Sequence, residues 1–360
     1  MEHYLKELRN KHLKKRKKKN PNMPIATWIQ DDVFLDKTIG KSLTIILRTV
    51  GCRWAYESGG CTMCSYLMDS SPIKISAENI INQFEYALNK YKEKINPKNY
   101  SIKIFTSGSF LDEFEIPKEA KEYIFKRIDE IGVKEVAVES RPEFINDDNL
   151  KIIRNNIDNS INVEIGVGIE TLNEKIRNVS IHKGVSTEDI KRAIETAKKY
   201  NVGMKAYLLI KPPFITEKDA IIDSIHSANE CMDMGCSRIS FCPATVHRGT
   251  LLELIWKRNQ YRPPFLWSIL EILNEVKSQN PNKIIMCDTA GIPSNRGAHN
   301  KMNCKCNHII KEVINDFTIT QDLSLIDETL NNNCECKKYW YEFINFEEKN
   351  IVPLGEDNLF

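Results

Sequence analysis

No stretch of this sequence approaches the run of about 18 uncharged apolar residues that a membrane-spanning helix needs. The N-terminus has no apolar h-region, so no secretory signal is expected. No internal repeat is visible, and no low-complexity segment extends beyond one basic block near the N-terminus. Without export, the 11 cysteines argue against a disulfide framework and for a reducing compartment with metal-ligating thiols. A hyperthermophile cytosol is the exception in which some of them would pair. The expected location is cytoplasmic, with no membrane partner.

What is present is ordinary for a soluble globular chain: 360 residues, 41% hydrophobic and 28% charged. That length suffices for one large α/β domain or two smaller ones. The net charge of +2 is unevenly spread. Residues 1–20 hold nine Lys/Arg against two Glu, a local +7, which leaves −5 for the rest. From Lys11 to Lys19 nearly every residue is basic. Such a block repels itself, and a mobile arm is expected, which either neutralises nucleic-acid phosphates or is simply solvated. Asn20 to Pro24 reads as a linker.

Beyond the linker, strand and helix patterns alternate. Strands are expected at Leu43–Thr49, Ser101–Thr106, Glu135–Glu139, Asn162–Val167, Gly203–Ile210, Arg238–Cys242 and Lys283–Met286. Helices are expected from Ser76 to about Lys92, from Pro117 to Ile131, over Thr187–Tyr200 and over Thr216–Met234. This alternation predicts βαβ units and a parallel sheet. About six units fit a partial TIM barrel, and pattern alone leaves a doubly wound sheet open. The expected domains are a basic arm and linker at 1–24, the barrel at 25–290 and a small Cys-rich module at 291–360.

The most informative residues are Cys52, Cys61 and Cys64, spaced C-x8-C-x2-C in a glycine-rich loop after an apolar β-branched stretch. Thiolates are soft donors that suit iron–sulfur clusters, zinc or copper(I). Three protein ligands leave one metal position open, which is how a metal site does chemistry. The competing readings are small buried thiols or a C-x-x-C redox pair. Polar and glycine neighbours argue against core burial. A redox pair would open a helix, whereas this one follows a strand with a third cysteine upstream.

Further motifs end the later strands: Glu139-Ser140-Arg141-Pro142-Glu143, Glu164 to Thr171 (EIGVGIET), Lys211-Pro212-Pro213-Phe214 and His247-Arg248-Gly249-Thr250. Together with the cysteine loop they resemble a radical S-adenosylmethionine (SAM) enzyme of the branch typified by the Elongator catalytic subunit. Within that branch they are most similar to the radical SAM proteins of archaeosine biosynthesis. The resemblance spans roughly residues 25 to 340. The common family spacing is C-x3-C-x2-C, so the first gap here is longer.

The resemblance implies a partial (β/α)6-type TIM barrel. It implies that Cys52, Cys61 and Cys64 hold a 4Fe–4S cluster whose fourth iron chelates SAM, whose cleavage releases a 5′-deoxyadenosyl radical. Backbone N–H groups of Gly51, Ser58, Gly59 and Gly60 are candidate donors to the sulfurs. Ser107-Gly108-Ser109 stands where the family commonly has Gly-Gly-Glu facing the SAM methionine. Glu139 and Arg141 are candidates for the SAM amino and carboxylate groups, and Gly168 and Glu170 for its ribose. An ordinary turn at 107–109 and a structural Glu139–Arg141 pair remain open. Lys211 and His182 are candidate catalytic or substrate contacts.

The resemblance also implies a tRNA substrate, a lysine-transferring partner enzyme and an electron donor. The reaction would cleave a C–N bond of a lysine adduct of 7-cyano-7-deazaguanine, leaving archaeosine. Two other functions stay open: a radical SAM enzyme on another tRNA base or protein, and a zinc-bound RNA-binding protein. Separately, Cys304, Cys306, Cys334 and Cys336 form two C-x-C pairs that fit a closed zinc site or an auxiliary cluster, with His299 and His308 as alternative ligands. Cys231, Cys236, Cys242 and Cys287 read as buried thiols.

Overall fold

The computed structural model describes residues 1–350. It divides into two compact units. Unit 1 comprises residues 1–60, 64–168 and 188–205; unit 2 comprises 61–63, 169–187 and 206 onward.

In unit 1, α1 (Glu2–Leu13) precedes a hairpin of β1 (Ala26–Val33) and β2 (Ile39–Ile46), antiparallel from Ala26↔Ile46 to Val33↔Ile39. A short helix α2 (Arg53–Ser58) follows β2 and ends at Gly59, whose φ is 83°. Then come α3 (Ala77–Tyr91), β3 (Tyr100–Phe105), α4 (Lys118–Ile131), β4 (Glu135–Ser140), α5 (Asp147–Asn156), β5 (Asn162–Glu170) and α6 (Thr187–Lys199). Strands β2 to β5 pair in parallel, each with its successor. The β3 and β4 burial patterns are almost continuous, as expected for strands covered on both faces.

Local chemistry explains the helices between them. Ser76 and Asn79 form a reciprocal capping box at the start of α3, with Asn79 N donating to Ser76 Oγ at 3.2 Å. Ile80, Phe84, Ala87 and Leu88 then place one apolar stripe inward. Pro117 is the N-cap of α4, one residue outside the expected first turn, and Gly132 ends the helix at φ 70°. Charges are also buried within this sheet. Lys103 pairs with Asp32 at 2.6 Å, and Lys205 with Glu164 at 3.5 Å.

The later elements are β6 (Gly203–Ile210), α7 (Glu217–Met234), β7 (Arg238–Pro243), α8 (Leu251–Lys257), α9 (Leu266–Gln279) and β8 (Ile284–Cys287). Three helices close unit 2: α10 (Cys306–Thr320), α11 (Ser324–Leu330) and α12 (Glu335–Asn350). β7 and β8 are parallel, and strand order runs from β1 to β8 in sequence order. A doubly wound sheet reverses its strand order at a switch point, and this one does not. The winding is therefore that of a barrel-type α/β fold.

Two expectations need correction. The basic arm is not simply a mobile tail: residues 2–13 form α1, with Leu5 and Arg9 buried. The first strand, β1, was hidden by its sequence, because Gln30, Asp31 and Asp32 interrupt any alternation.

Candidate functional site

The loop after β2 is held from both sides within unit 1. Cys52 is the N-cap of α2. Thr49 Oγ1 accepts from Gly51 N at 3.1 Å and donates to Glu115 Oε2 at 2.6 Å. Gly51 N is thereby engaged by Thr49, in place of the sulfur contact expected from sequence. From the other side, the Arg9 guanidinium donates to the carbonyls of Gly59 (3.2 Å) and Cys64 (2.8 Å). A Cβ on Gly59 would lie 2.6 Å from Lys6 N, so α1 needs a glycine there.

The loop after β3 lies directly against Cys52. A Cβ on Gly108 would stand 2.6 Å from Cys52 Cα and 2.0 Å from Glu115 Oε1. Ser109 N donates to Glu115 Oε1 at 2.6 Å, and Ser109 Oγ accepts from Arg141 N at 3.1 Å. Phe110 N donates to the Glu139 carbonyl at 2.8 Å. The ends of β2, β3 and β4 are thus stitched together, and Cys52, Gly108, Ser109, Glu139 and Arg141 are brought into one neighbourhood. Ser107 is buried beside them. The Arg141 side chain pairs with Glu143 and lies over the Trp54 ring, 5.3 Å from its centroid.

Glu115 is the residue sequence reasoning missed. It is one of three acids in the loop Asp112-Glu113-Phe114-Glu115, and nothing in the sequence sets it apart from its neighbours. Burial pushes its carboxyl up to about 7, against hydrogen bonds from Thr49 and Ser109 that favour the charged form. Next to Cys52, Arg53 forms a two-pronged bridge to Asp112 at 3.0 and 2.6 Å, fixing α2 to the β3 loop. A cleft of about 890 Å³ opens beside that bridge, lined by Arg53, Asp112, Lys118, Phe144 and Asn149 among others, and none of the three cysteines lines it.

In unit 2, residues 61–63 are fixed by Thr62. Its N donates to Ile181 O at 2.9 Å and its Oγ1 to Ser180 O at 2.9 Å, while Leu252 N donates to Thr62 O at 3.2 Å. Cys61 packs against the apolar cluster of Ile176, Ile181, Leu209 and Ile215. Residues Ile176–Ser180 form a π-turn, a rare geometry enriched at functional sites. Its Arg177 is wholly buried and donates to the carbonyls of Val185 and Thr171.

Glu170, at φ 68°, pairs with Lys183 at 2.7 Å. His182 is also left-handed, at φ 60°. Gly168 falls in β5, one residue past the last β4 partner, Val167. Lys211 is buried and committed to carboxylates: its Nζ lies 2.8 Å from Glu217 and 3.5 Å from Glu347. The thiols of Cys304, Cys306, Cys334 and Cys336 all lie within 4.8 Å of one another, and among the described residues neither His299 nor His308 joins them. Cys231, Cys236 and Cys287 are buried and Cys242 is half-buried.

The donor set fits an iron–sulfur cluster. Cys52, Cys61 and Cys64 are half-buried and outside any disulfide. Gly51, next to Cys52 in sequence, and Gly59 and Gly60, just before Cys61, hold left-handed backbone. Gly108 lets the loop after β3 approach Cys52 more closely than any side chain would allow.

Comparison with known proteins agrees. Residues 46–223 match the Radical SAM superfamily. An archaeosine synthase subunit beta of Methanosarcina acetivorans is 40% identical over 91% of this chain and 91% of its own length. The chain belongs to this radical SAM family. An uncharacterised protein of Methanocaldococcus jannaschii is 64% identical over 98% of this chain and 96% of its own. Among solved structures, the archaeal Methanocaldococcus infernus Elp3 with an N-terminal deletion covers 68% of this chain and 59% of that chain, at 16% identity and TM-score 0.49. Membership makes the chain an enzyme whose cofactors are a 4Fe–4S cluster and SAM. No described helix is long and apolar enough to cross a membrane.

Proposed function

We propose that this chain acts on tRNA in archaeosine formation, cleaving a C–N bond of a lysine adduct of 7-cyano-7-deazaguanine. The nitrogen left on the base completes the formamidine. The observation that carries the reading is near-full-length similarity to a protein named archaeosine synthase subunit beta, joined to the three-cysteine loop. That relative's being a subunit also supports a partner protein, which we take to be the enzyme that attaches the lysine.

Cys52, Cys61 and Cys64 would each hold one iron of the cluster, and SAM would sit on the open fourth iron. When bound, these cofactors supply radical abstraction of hydrogen from an unactivated carbon, as the lysine side chain requires. The chain's own residues position and shield. Glu115 locks the Cys52 loop to the Gly108 loop, and Gly108 allows close backbone approach to a charged ligand. Arg141 is held over Trp54 and beside Glu143, where its guanidinium can meet a carboxylate. Glu170 is a hydroxyl acceptor held by Lys183. Basic side chains from Lys14 to Lys19 meet tRNA phosphates.

The test is nucleoside analysis of the RNA. The reduced, reconstituted protein is incubated with SAM and tRNA carrying the lysine adduct, then digested and analysed by mass spectrometry. Archaeosine is expected with wild type and absent with Cys61→Ala. Recovery of the intact adduct from a fully cluster-loaded wild type would contradict the reading.

A further inference from the structure

The four cysteines of the C-terminal module, apart in sequence from Cys52, Cys61 and Cys64, are arranged as a metal site. Their sulfurs all lie within 4.8 Å of one another, and Cys304 Sγ lies 3.6 Å from Cys334 Sγ. Four thiolates about 2.3 Å from one tetrahedral zinc stand roughly 3.8 Å apart. On a cubane cluster each thiolate binds a different iron, which spreads the sulfurs to roughly 6 Å. The observed spacing is that of a mononuclear site.

We propose that Cys304, Cys306, Cys334 and Cys336 bind a single Zn²⁺ in a closed tetrahedral site, and that this site fixes α12 so that Glu347 reaches Lys211 at the end of β6.

Two routes lead from the thiol knot to Lys211, both inside unit 2. The first runs through Asn300. Its Nδ2 donates to Cys306 Sγ at 3.4 Å, while its Oδ1 accepts from Leu266 N at 3.1 Å, at the start of α9. An amide bonded to a ligating sulfur is the outer shell that metal sites use to orient their ligands. Asn307 frames the same loop, donating to the carbonyls of Lys301 (2.9 Å) and Cys304 (3.0 Å). From the head of α9, Ser268 Oγ donates to Glu217 Oε1 at 2.5 Å and Phe265 N to the same oxygen at 2.7 Å. Glu217 Oε2 then meets Lys211 Nζ at 2.8 Å.

The second route is α12 itself. Cys336 lies in its first turn, and Trp340 follows one turn later, donating from Nε1 to Ser268 Oγ at 2.9 Å. Glu347 lies about 16 Å further along the axis than Cys336, at 1.5 Å per residue. Its carboxylate accepts from Glu217 N at 2.7 Å and lies 3.5 Å from Lys211 Nζ. A lysine and two carboxylates are thus buried together, an arrangement that persists only where every member is held in place. Fixing Cys336 in space is what sets where Glu347 arrives.

The test uses the full chain with Cys52, Cys61 and Cys64 all replaced by alanine, so that any metal retained belongs to the knot. Elemental analysis is expected to give one zinc and no iron per chain, and Cys334→Ala with Cys336→Ala in that background to abolish the zinc. Four irons with matching sulfide, a single iron, or no metal with all four thiols reactive would each overturn the assignment. For the positioning role, zinc is released from the folded protein with a mercurial reagent and a chelator. Hydrogen exchange over residues 335–347 and acetylation of Lys211 are then expected to rise at least tenfold. If both stay unchanged after release, zinc does not fix α12. Neither readout involves SAM or tRNA, so failure here is distinguishable from failure of the radical reading.

Discussion

At the scale of single residues, Gly108 and Glu115 decide whether the Cys52 loop can hold its shape. Gly108→Ala forces a methyl against Cys52 Cα and the Glu115 carboxylate, both backed by packed chain. Overpacking of this kind costs about 1–3 kcal/mol, so chemical unfolding should show a loss in that range with reduced iron uptake on reconstitution. Glycine at 108 was legible as part of a strand-end motif. Glu115 was not, because its role exists only once the ends of β2 and β3 are side by side. Arg9 was concealed differently: just ahead of a basic block one arginine looks like any other, yet this one binds the Gly59 and Cys64 carbonyls. Arg9→Ala removes charge-assisted hydrogen bonds worth about 1.5–3 kcal/mol each at most. Faster limited proteolysis within residues 59–64 is the expected signature.

At the scale of elements, α1 and the basic run after it do different work. The helix packs through Leu5 and Arg9, while Lys14, Lys15 and Lys17 to Lys19 stay exposed. Replacing those five lysines with glutamine should lower tRNA affinity and flatten its salt dependence. The logarithmic slope should fall by up to about 0.9 for each duplex phosphate no longer neutralised. A binding titration over a salt series reads this directly; an unchanged slope would remove the arm from the RNA interface. Helix α7 carries a pH signal of its own. Burial raises the Asp223 carboxyl to about 7, with Thr171 Oγ1 donating to it at 2.6 Å. The folded state therefore binds a proton that the unfolded chain, titrating near 3.8, has released. That contribution is fully present below pH about 4 and is lost as pH rises through about 7. Thermal unfolding midpoints of wild type should fall across that window, and Asp223→Asn should flatten the fall.

At the scale of the molecule, the alternating strands and helices were legible because buried parallel strands read as apolar β-branched runs and the helices carry capped amphipathic stripes. The seven expected strands all appear within a few residues of β2 to β8. Among the elements that escaped are the largely apolar α9, β1 with its two aspartates, and α12, whose acidic and aromatic sequence reveals nothing of the ion pair it completes at Lys211. The cysteine spacing was the strongest chemical signal, since thiol ligands must be close in sequence when one loop supplies them all. Lys211 shows the opposite limit. Its position after β6 resembles that of a substrate contact, and only tertiary structure reveals two buried carboxylates around it.

The central claim is radical chemistry at Cys52, Cys61 and Cys64. Its most direct test is 5′-deoxyadenosine release by the anaerobically reconstituted and reduced protein with SAM, measured beside Cys61→Ala. Wild type is predicted to release it, more so when tRNA bearing the lysine adduct is added, and the variant to release none. A wild type with a full cluster that releases none under any of these conditions would contradict the account.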